Sequence, residues 1–161
     1  MTLPTLIASM PPAEIAARTA WAENRGGGQT GMQSVLNAIG NRAAHPGWWG
    51  SDVASVCTYS VRAIYQFSCW SPLNPNYAQL LAVTEDDADF ALAMRLAVEL
   101  AAGTLPDLTK GADSYYALSM RNPPTWRLKS RHMVNLAGQA FYVTRGLTLT
   151  FPDEDLELFG A

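Results

Sequence analysis

Residues 21–42 read WAENRGGGQTGMQSVLNAIGNR, and the order of their signals decides most of the fold. Gly26, Gly27 and Gly28 form a run that cannot sustain a helix and can adopt positive φ. A helix arriving from Pro11 and Pro12 through Ala13 to Glu23 therefore ends at Asn24 and Arg25, and a tight, backbone-exposed loop follows. Beyond the loop, Thr30 and Gln33 have capping-box spacing. Met32, Val35, Leu36 and Ile39 recur at i, i+3, i+4 and i+7, so a second helix is expected from about 31 to about 43 with its apolar stripe on the core. Glu23 is thus left at a helix end, one turn before three glycines. A carboxylate there faces the negative end of the helix dipole, which favours its protonated form and suits a general acid. Arg25 works in the opposite direction if its guanidinium points at the carboxylate.

Outward from this stretch the chain reads as mainly helical α+β. In the first helix Ile15, Thr19 and Ala22 share one side. Ser51 is placed to cap a short helix from Asp52 to Cys57, and Ala63 to Phe67 is a brief extended run. Tyr77 to Val83 looks helical. Thr84 with Asp87 is placed to cap a longer helix through Ala102, closed by Gly103, with Phe90, Ala93, Met94, Ala97, Val98 and Ala101 on its buried face. Ser114 to Ala117 and Gln139 to Thr144 look like short strands on either side of the irregular Asn122-Pro123-Pro124 segment. No repeat, low-complexity tract or linker divides the 161 residues, so one domain is expected, with a core over about 12–145 and an acidic tail over 146–161.

Composition narrows the function. Hydrophobic residues make up 48% and charged residues 16%, a globular balance with no apolar run long enough to span a membrane. The formal charge of -3 includes Asp153, Glu154, Asp155 and Glu157; without them 11 cations face 10 acids. A body so near neutral, with no basic run, gives little grip on a phosphate backbone, so nucleic acid is a poor partner and a neutral glycan a better one. Cys57 and Cys69 are too few for a disulfide framework and read as buried thiols. His45 and His132 lack ligand spacing, and no metal or other cofactor is expected. Residues 1–10 carry no basic stretch ahead of their apolar patch, so synthesis without a signal peptide is expected.

Several segments together resemble one family. WAENRGGGQTGMQSVLNAIGNR is similar, without gaps, to the leading motif of the spore-cortex-lytic (SleB-type) cell wall hydrolases, in which an aromatic, a small residue and the catalytic Glu precede Ala-Arg-Gly and a helix ending in Asn-Arg. Gln66-Phe67-Ser68-Cys69-Trp70 resembles the family's Gln-Phe-Ser-x-Trp. Asp107-Leu108-Thr109-Lys110-Gly111-Ala112 resembles its Asp-Pro-Thr-x-Gly-Ala, Tyr115-Tyr116 its aromatic pair, and Trp126 and Phe141-Tyr142 also fit. The resemblance runs from about residue 16 to about residue 143. Four departures stand out: Gly27 where a second Glu is frequent, Leu108 for Pro, Ala117 for a frequent Asn, and Gln139 where a His precedes Phe-Tyr.

The resemblance implies a lysozyme-like domain that cleaves the peptidoglycan bond between N-acetylmuramic acid and N-acetylglucosamine, with Glu23 as catalytic acid. A standard two-carboxylate glycosidase needs a second acid. With Gly27 in place of Glu, a lytic transglycosylase route fits better, in which one Glu protonates the glycosidic oxygen and then accepts the proton of the muramic acid C6 hydroxyl. Asp52, Asp107 and Asp113 are the other conceivable carboxylates, although Asp52 suits a helix start and Asp107 a turn. Gln66, Ser68, Tyr115, Tyr116, Trp126, Gln139 and Tyr142 are the candidate substrate-binding residues. The rings offer faces to sugar C–H groups, and Gln66 and Ser68, expected on one strand face, are placed to bond substrate or the Glu23 carboxyl. Core packing is the competing role for the aromatics. Two alternatives stay open: lysozyme-like hydrolysis, and a non-catalytic glycan-binding or virion structural protein on the same fold. A monomeric, signal-free wall enzyme released by a bacteriophage, an endolysin, fits the size of the chain.

Overall fold

A computed structural model of the chain describes residues 3–146; the expected acidic tail from residue 147 onward, with Asp153, Glu154, Asp155 and Glu157, lies outside the described residues. A short α1 (Leu3–Ser9), which the sequence reading did not anticipate, leads into α2 (Pro12–Asn24). Pro12 lies in the first turn of α2, where its missing N–H removes no helix bond. Every residue of α2 from Ile15 through Trp21 is buried, far more than the stripe of Ile15, Thr19 and Ala22, because α2 is covered by both α3 (Gly28–Ala44) and α6 (Ala88–Ala102). This places the helix that carries Glu23 at the centre of the domain.

Between α2 and α3 the glycine run does not form an open loop. Arg25–Gly27 makes one 3-10 turn, and Gly28, with φ of 65°, swings the chain directly into α3. α3 therefore starts before the expected Thr30. Thr30 and Gln33 form no capping box, because Thr30 lies inside α3, whose N-cap is Gly27, and Gln33 is engaged elsewhere. The Thr30 carbonyl accepts from Ser34, and Gln33 Nε2 donates to the Pro106 carbonyl (2.9 Å). Met32, Val35, Leu36 and Ile39 are fully buried, as their spacing predicts. Each such side chain contributes about 1.5–3 kcal/mol through burial.

α4 (Val53–Thr58) is capped by Asp52 in a reciprocal box with Ser55, so Asp52 rather than Ser51 starts it. The extended run expected over 63–67 contracts to a two-strand hairpin, β1 (Ser60–Val61) and β2 (Ile64–Tyr65). Arg62 and Ala63 form its turn at positive φ, so Ala63 cannot belong to the strand. Ser68–Trp70 is a 3-10 turn, followed by α5 (Tyr77–Ala82). Asp87 alone caps α6, accepting from Phe90 N (2.9 Å), and Gly103 closes it in the left-handed conformation. The inner face of α6 is Phe90, Ala93, Leu96 and Ala97; Val98 and Ala101, expected inside, face solvent.

The second sheet has the order β3-β5-β4, all antiparallel: β3 (Ser114–Ala117), β4 (Arg131–Leu136) and β5 (Gln139–Val143). β4 was not expected. Half of its residues are exposed, none is fully buried, and it is bulged between His132 and Val134, which breaks the alternation by which a strand is recognised. The α+β, mainly helical reading of the sequence is the observed architecture.

Candidate active site

The carboxyl of Glu23 faces a cleft of about 160 Å³ at the end of α2, walled by Trp21, Ala22, Arg25, Ser68, Cys69, Asn74, Asn76, Gln79 and Leu80. Across from it, the Tyr115 hydroxyl donates to Glu23 Oε2 (3.1 Å). Burial raises the Glu23 pKa from its ordinary 4.5 to about 8, and the Tyr115 hydrogen bond opposes the rise. Glu23 is therefore a proton-bearing acid at neutral pH. Desolvation is the leading cause, and the Arg25 cation is not set against the carboxyl. The Arg25 guanidinium folds back over the Trp21 ring at 4.0 Å and donates to the Trp21 carbonyl (3.1 Å).

Tyr115 is itself held by a buried network. Fully buried Arg42, near the end of α3, donates through Nε to the Asp113 carbonyl (2.6 Å), through Nη1 to Gln66 Oε1 (3.1 Å) and through Nη2 to Ser114 Oγ (3.4 Å). Burial lowers the Arg42 pKa to about 9, while the negative charge of Asp113 supports the cation. Asp113, also fully buried, accepts from Thr144 N and Oγ1 and pairs with Arg145 at 3.2 Å. α3, the start of β3 and the end of β5 are thus locked together, and the register of β3 points Tyr115 at Glu23.

The other expected carboxylates are spoken for. Asp52 caps α4. Asp107 closes a turn, accepting from Asn41 Nδ2, Thr109 N and Oγ1, and Gly111 N. Asp113 belongs to the Arg42 and Arg145 network. Among the described residues the cleft walls hold no acid besides Glu23.

Of the expected substrate-binding residues, Ser68 lies in the wall of the Glu23 cleft and Tyr115 touches the carboxyl directly. Gln66 is buried beside Arg42, beyond the end of β2, while Ser68 opens a 3-10 turn, so the two do not share a strand face. Neighbours on a strand face opposite sides. The pairing of Tyr115 with Phe141 and of Ser114 with Tyr142 accordingly puts Tyr116 and Tyr142 on the far side of the sheet from Glu23. There their rings stack with centroids 5.8 Å apart, and buried Trp126 meets them edge-on at 6.2 and 5.4 Å. These three rings pack on one another rather than lining the Glu23 cleft.

Gln139 is buried, and its Oε1 accepts from Asn24 Nδ2 (3.3 Å). The same Nδ2 approaches the Ala137 carbonyl (3.2 Å), and Asn24 Oδ1 accepts from Gly27 N (3.2 Å). Asn24, which the sequence reading used only as a helix end, therefore fastens the residue after Glu23 to the β4–β5 hairpin. Gly27 packs closely against the same contact. A Cβ there would lie 2.9 Å from Asn24 Oδ1 and 3.0 Å from the Ala137 Cβ, so the Glu frequent at this position in the resembled motif would displace the Asn24 side chain from its contacts. Asn74, Asn76 and Gln79 were also missed. They come from the turn-rich loop and α5, and nothing local in the sequence joins them to α2.

Cys57 and Cys69 are free and buried, with burial pushing the Cys57 thiol up to about 12 and that of Cys69 well above its usual range, so neither is poised as a nucleophile. Among the described residues no group of three or more His, Cys, Asp or Glu is arranged to hold a metal ion, and no helix is long and apolar enough to cross a membrane.

A family model described as Cell Wall Hydrolase matches residues 26–142, most of the chain, beginning just past Glu23. Among solved structures, the catalytic domain of the germination-specific lytic transglycosylase SleB from Bacillus anthracis is similar in fold, with a TM-score of 0.59 at 17% sequence identity over 81% of this chain and 93% of that one. No curated protein matches the sequence.

Proposed function

This chain belongs to the cell wall hydrolase family, and from that premise we propose that it cuts peptidoglycan between N-acetylmuramic acid and N-acetylglucosamine as a lytic transglycosylase, with Glu23 as its one general acid and base. The observation that carries the reading is a carboxyl held neutral by burial, bonded to the Tyr115 hydroxyl, in a polar cleft whose described walls supply no second acid. Peptidoglycan as substrate follows the family and agrees with the activity named for the SleB domain.

Chemically, neutral Glu23 donates its proton to the glycosidic oxygen as the bond to muramic acid C1 breaks. The resulting carboxylate is stabilised by the Tyr115 hydroxyl, and its restored basicity lets it take the proton from the muramic acid C6 hydroxyl. That oxygen attacks C1 within the same sugar and closes a 1,6-anhydro ring, so no water has to be activated and no second carboxylate is needed. Ser68, Asn74, Asn76 and Gln79 offer the hydrogen bonds that hold sugar hydroxyls and acetamido groups. Lysozyme-like hydrolysis would place a water where the C6 hydroxyl stands and is the competing reading of the same cleft.

Glu23→Gln keeps the shape of the side chain and its acceptor for Tyr115 but moves no proton. Release of soluble fragments from purified sacculi should fall by at least about 100-fold, in line with the worth of a positioned acid. A folded Glu23→Gln protein that solubilises sacculi at the wild-type rate would show that another group performs the chemistry.

A further inference from the structure

The near-neutral charge of the described residues averages over two unlike parts. Residues 114–146 contain Arg121, Arg127, Lys129, Arg131 and Arg145 and no Asp or Glu, while ten of the 14 acids lie at or before Asp113. Arg145 is balanced by Asp113 at 3.2 Å. The remaining four cations follow one another through the loop before the 3-10 helix Thr125–Lys129, that helix, and the first residue of β4. Arg121, Lys129 and Arg131 are exposed, and among the described residues none of the four is in an ion pair. Like charges gathered without partners repel, so such a cluster lowers the stability of the free protein slightly and is relieved by an anion.

The surface is also built rather than loose. Arg127 Nη1 donates to the carbonyls of Pro123 (3.3 Å) and Pro124 (3.1 Å), which fixes the guanidinium. Buried Trp126 anchors the 3-10 helix on the rings of Tyr116 and Tyr142. Leu128, 75% exposed between Arg127 and Lys129, adds an apolar contact beside the charges. All of this lies on or beside the sheet whose opposite face presents Tyr115 to Glu23.

We propose that this basic surface binds the free carboxylates of the peptide stems carried by the glycan strand, so that the enzyme engages peptide-bearing, acidic strands in preference to bare ones. The proposal rests on the reading of the Glu23 cleft as a glycan-cleaving site. The sugars of the strand are uncharged once the lactyl group of muramic acid is bonded to its peptide, so the complementary charge resides in the stems. The 3-10 helix packs on the Tyr116 and Tyr142 face, away from Tyr115, so the stems it meets are those of sugars bound outside the Glu23 cleft.

The test uses the Glu23→Gln protein, so that binding is measured without turnover, on three preparations of sacculi: native, with stem carboxylates amidated, and stripped of phosphate-bearing wall polymers. The same measurements are made with Lys129→Gln/Arg131→Gln added, and with Arg121→Gln/Lys129→Gln should the first pair fail to melt cooperatively. Tighter binding to native than to amidated sacculi is expected, by about 3- to 10-fold for two surface contacts, falling to about 1 in the double variants and weakening with salt. Equal binding to native and amidated sacculi, or a preference the double variants retain, overturns the proposal. A loss that follows removal of the phosphate polymers rather than amidation also overturns it, by assigning the surface to phosphate. Cleavage by the protein with Glu23 intact is scored separately. If sacculi are not cut, the glycosidase reading fails, whereas cutting without any dependence on stem carboxylates removes only the stem-binding assignment.

Discussion

Replacing Glu23 by Gln should make the protein more stable, by an amount that depends on pH. In the unfolded chain Glu23 ionises near its ordinary 4.5, and in the fold burial moves this to about 8. The sign follows from proton linkage. Below about pH 4.5 the carboxyl is neutral in both states and costs nothing. Between 4.5 and 8 the unfolded chain gains by ionising while the folded one keeps its proton, so wild-type stability declines as pH rises, and above about 8 the loss is complete. At 1.36 kcal/mol per pH unit the separation sets a ceiling near 5 kcal/mol. Water in the cleft screens the charge and brings the expected value down to roughly 2 kcal/mol. Glutamine is neutral throughout and keeps an acceptor for Tyr115, so its advantage should be near zero at about pH 4 and on the order of 2 kcal/mol at about pH 9. Urea denaturation of both proteins across that range measures the difference. An advantage that does not change with pH, or a Glu23→Gln protein less stable than wild type at alkaline pH, would refute the claim that burial keeps Glu23 protonated.

Other perturbations separate the parts of the site. Tyr115→Phe removes the hydroxyl that holds the Glu23 pKa down, so the alkaline limb of the pH–rate profile should move upward while kcat falls by roughly 10- to 100-fold, the worth of a hydrogen bond to a charged group; an unmoved limb would argue against contact between the two groups in solution. Asp113→Asn leaves Arg145 and the Arg42 network without their buried anion and should cost about 3–5 kcal/mol in denaturant unfolding, a structural loss rather than a catalytic one. Asp52→Ala removes a helix cap that does not line the cleft and should cost about 1 kcal/mol while glycan release stays near wild type; loss of activity comparable to that of Glu23→Gln would point to a two-carboxylate hydrolase.

What the sequence makes legible here is what local patterns encode. The triple glycine ends α2 beside Glu23, the i, i+3, i+4 stripe from Met32 to Ile39 faces the core, and Gly103 stops α6. Failures arise where distant partners decide the outcome. Gln33 gives up a local cap for the Pro106 carbonyl, and Gln66 and Ser68 part company because β2 stops at Tyr65. The polar wall from Asn74 to Gln79 is brought to Glu23 only by the packing of α5 against α2. The pair Tyr115-Tyr116 is the clearest case. Strand alternation guarantees that only one of the two can face a given cleft, and the register with β5 determines which one does. The Gly27 and Gln139 departures, unrelated in sequence, meet at Asn24, whose side chain a larger residue at 27 would have to displace.

Mass spectrometry of the muropeptides released from purified sacculi tests the one-carboxylate mechanism most directly. Internal attack by the C6 hydroxyl leaves 1,6-anhydromuramyl ends, one water lighter than hydrolytic products and without a reducing terminus, and such ends are the expected product. Reducing muramic acid ends would contradict the transglycosylase mechanism and require a water-activating base in a cleft where the described residues supply none besides Glu23.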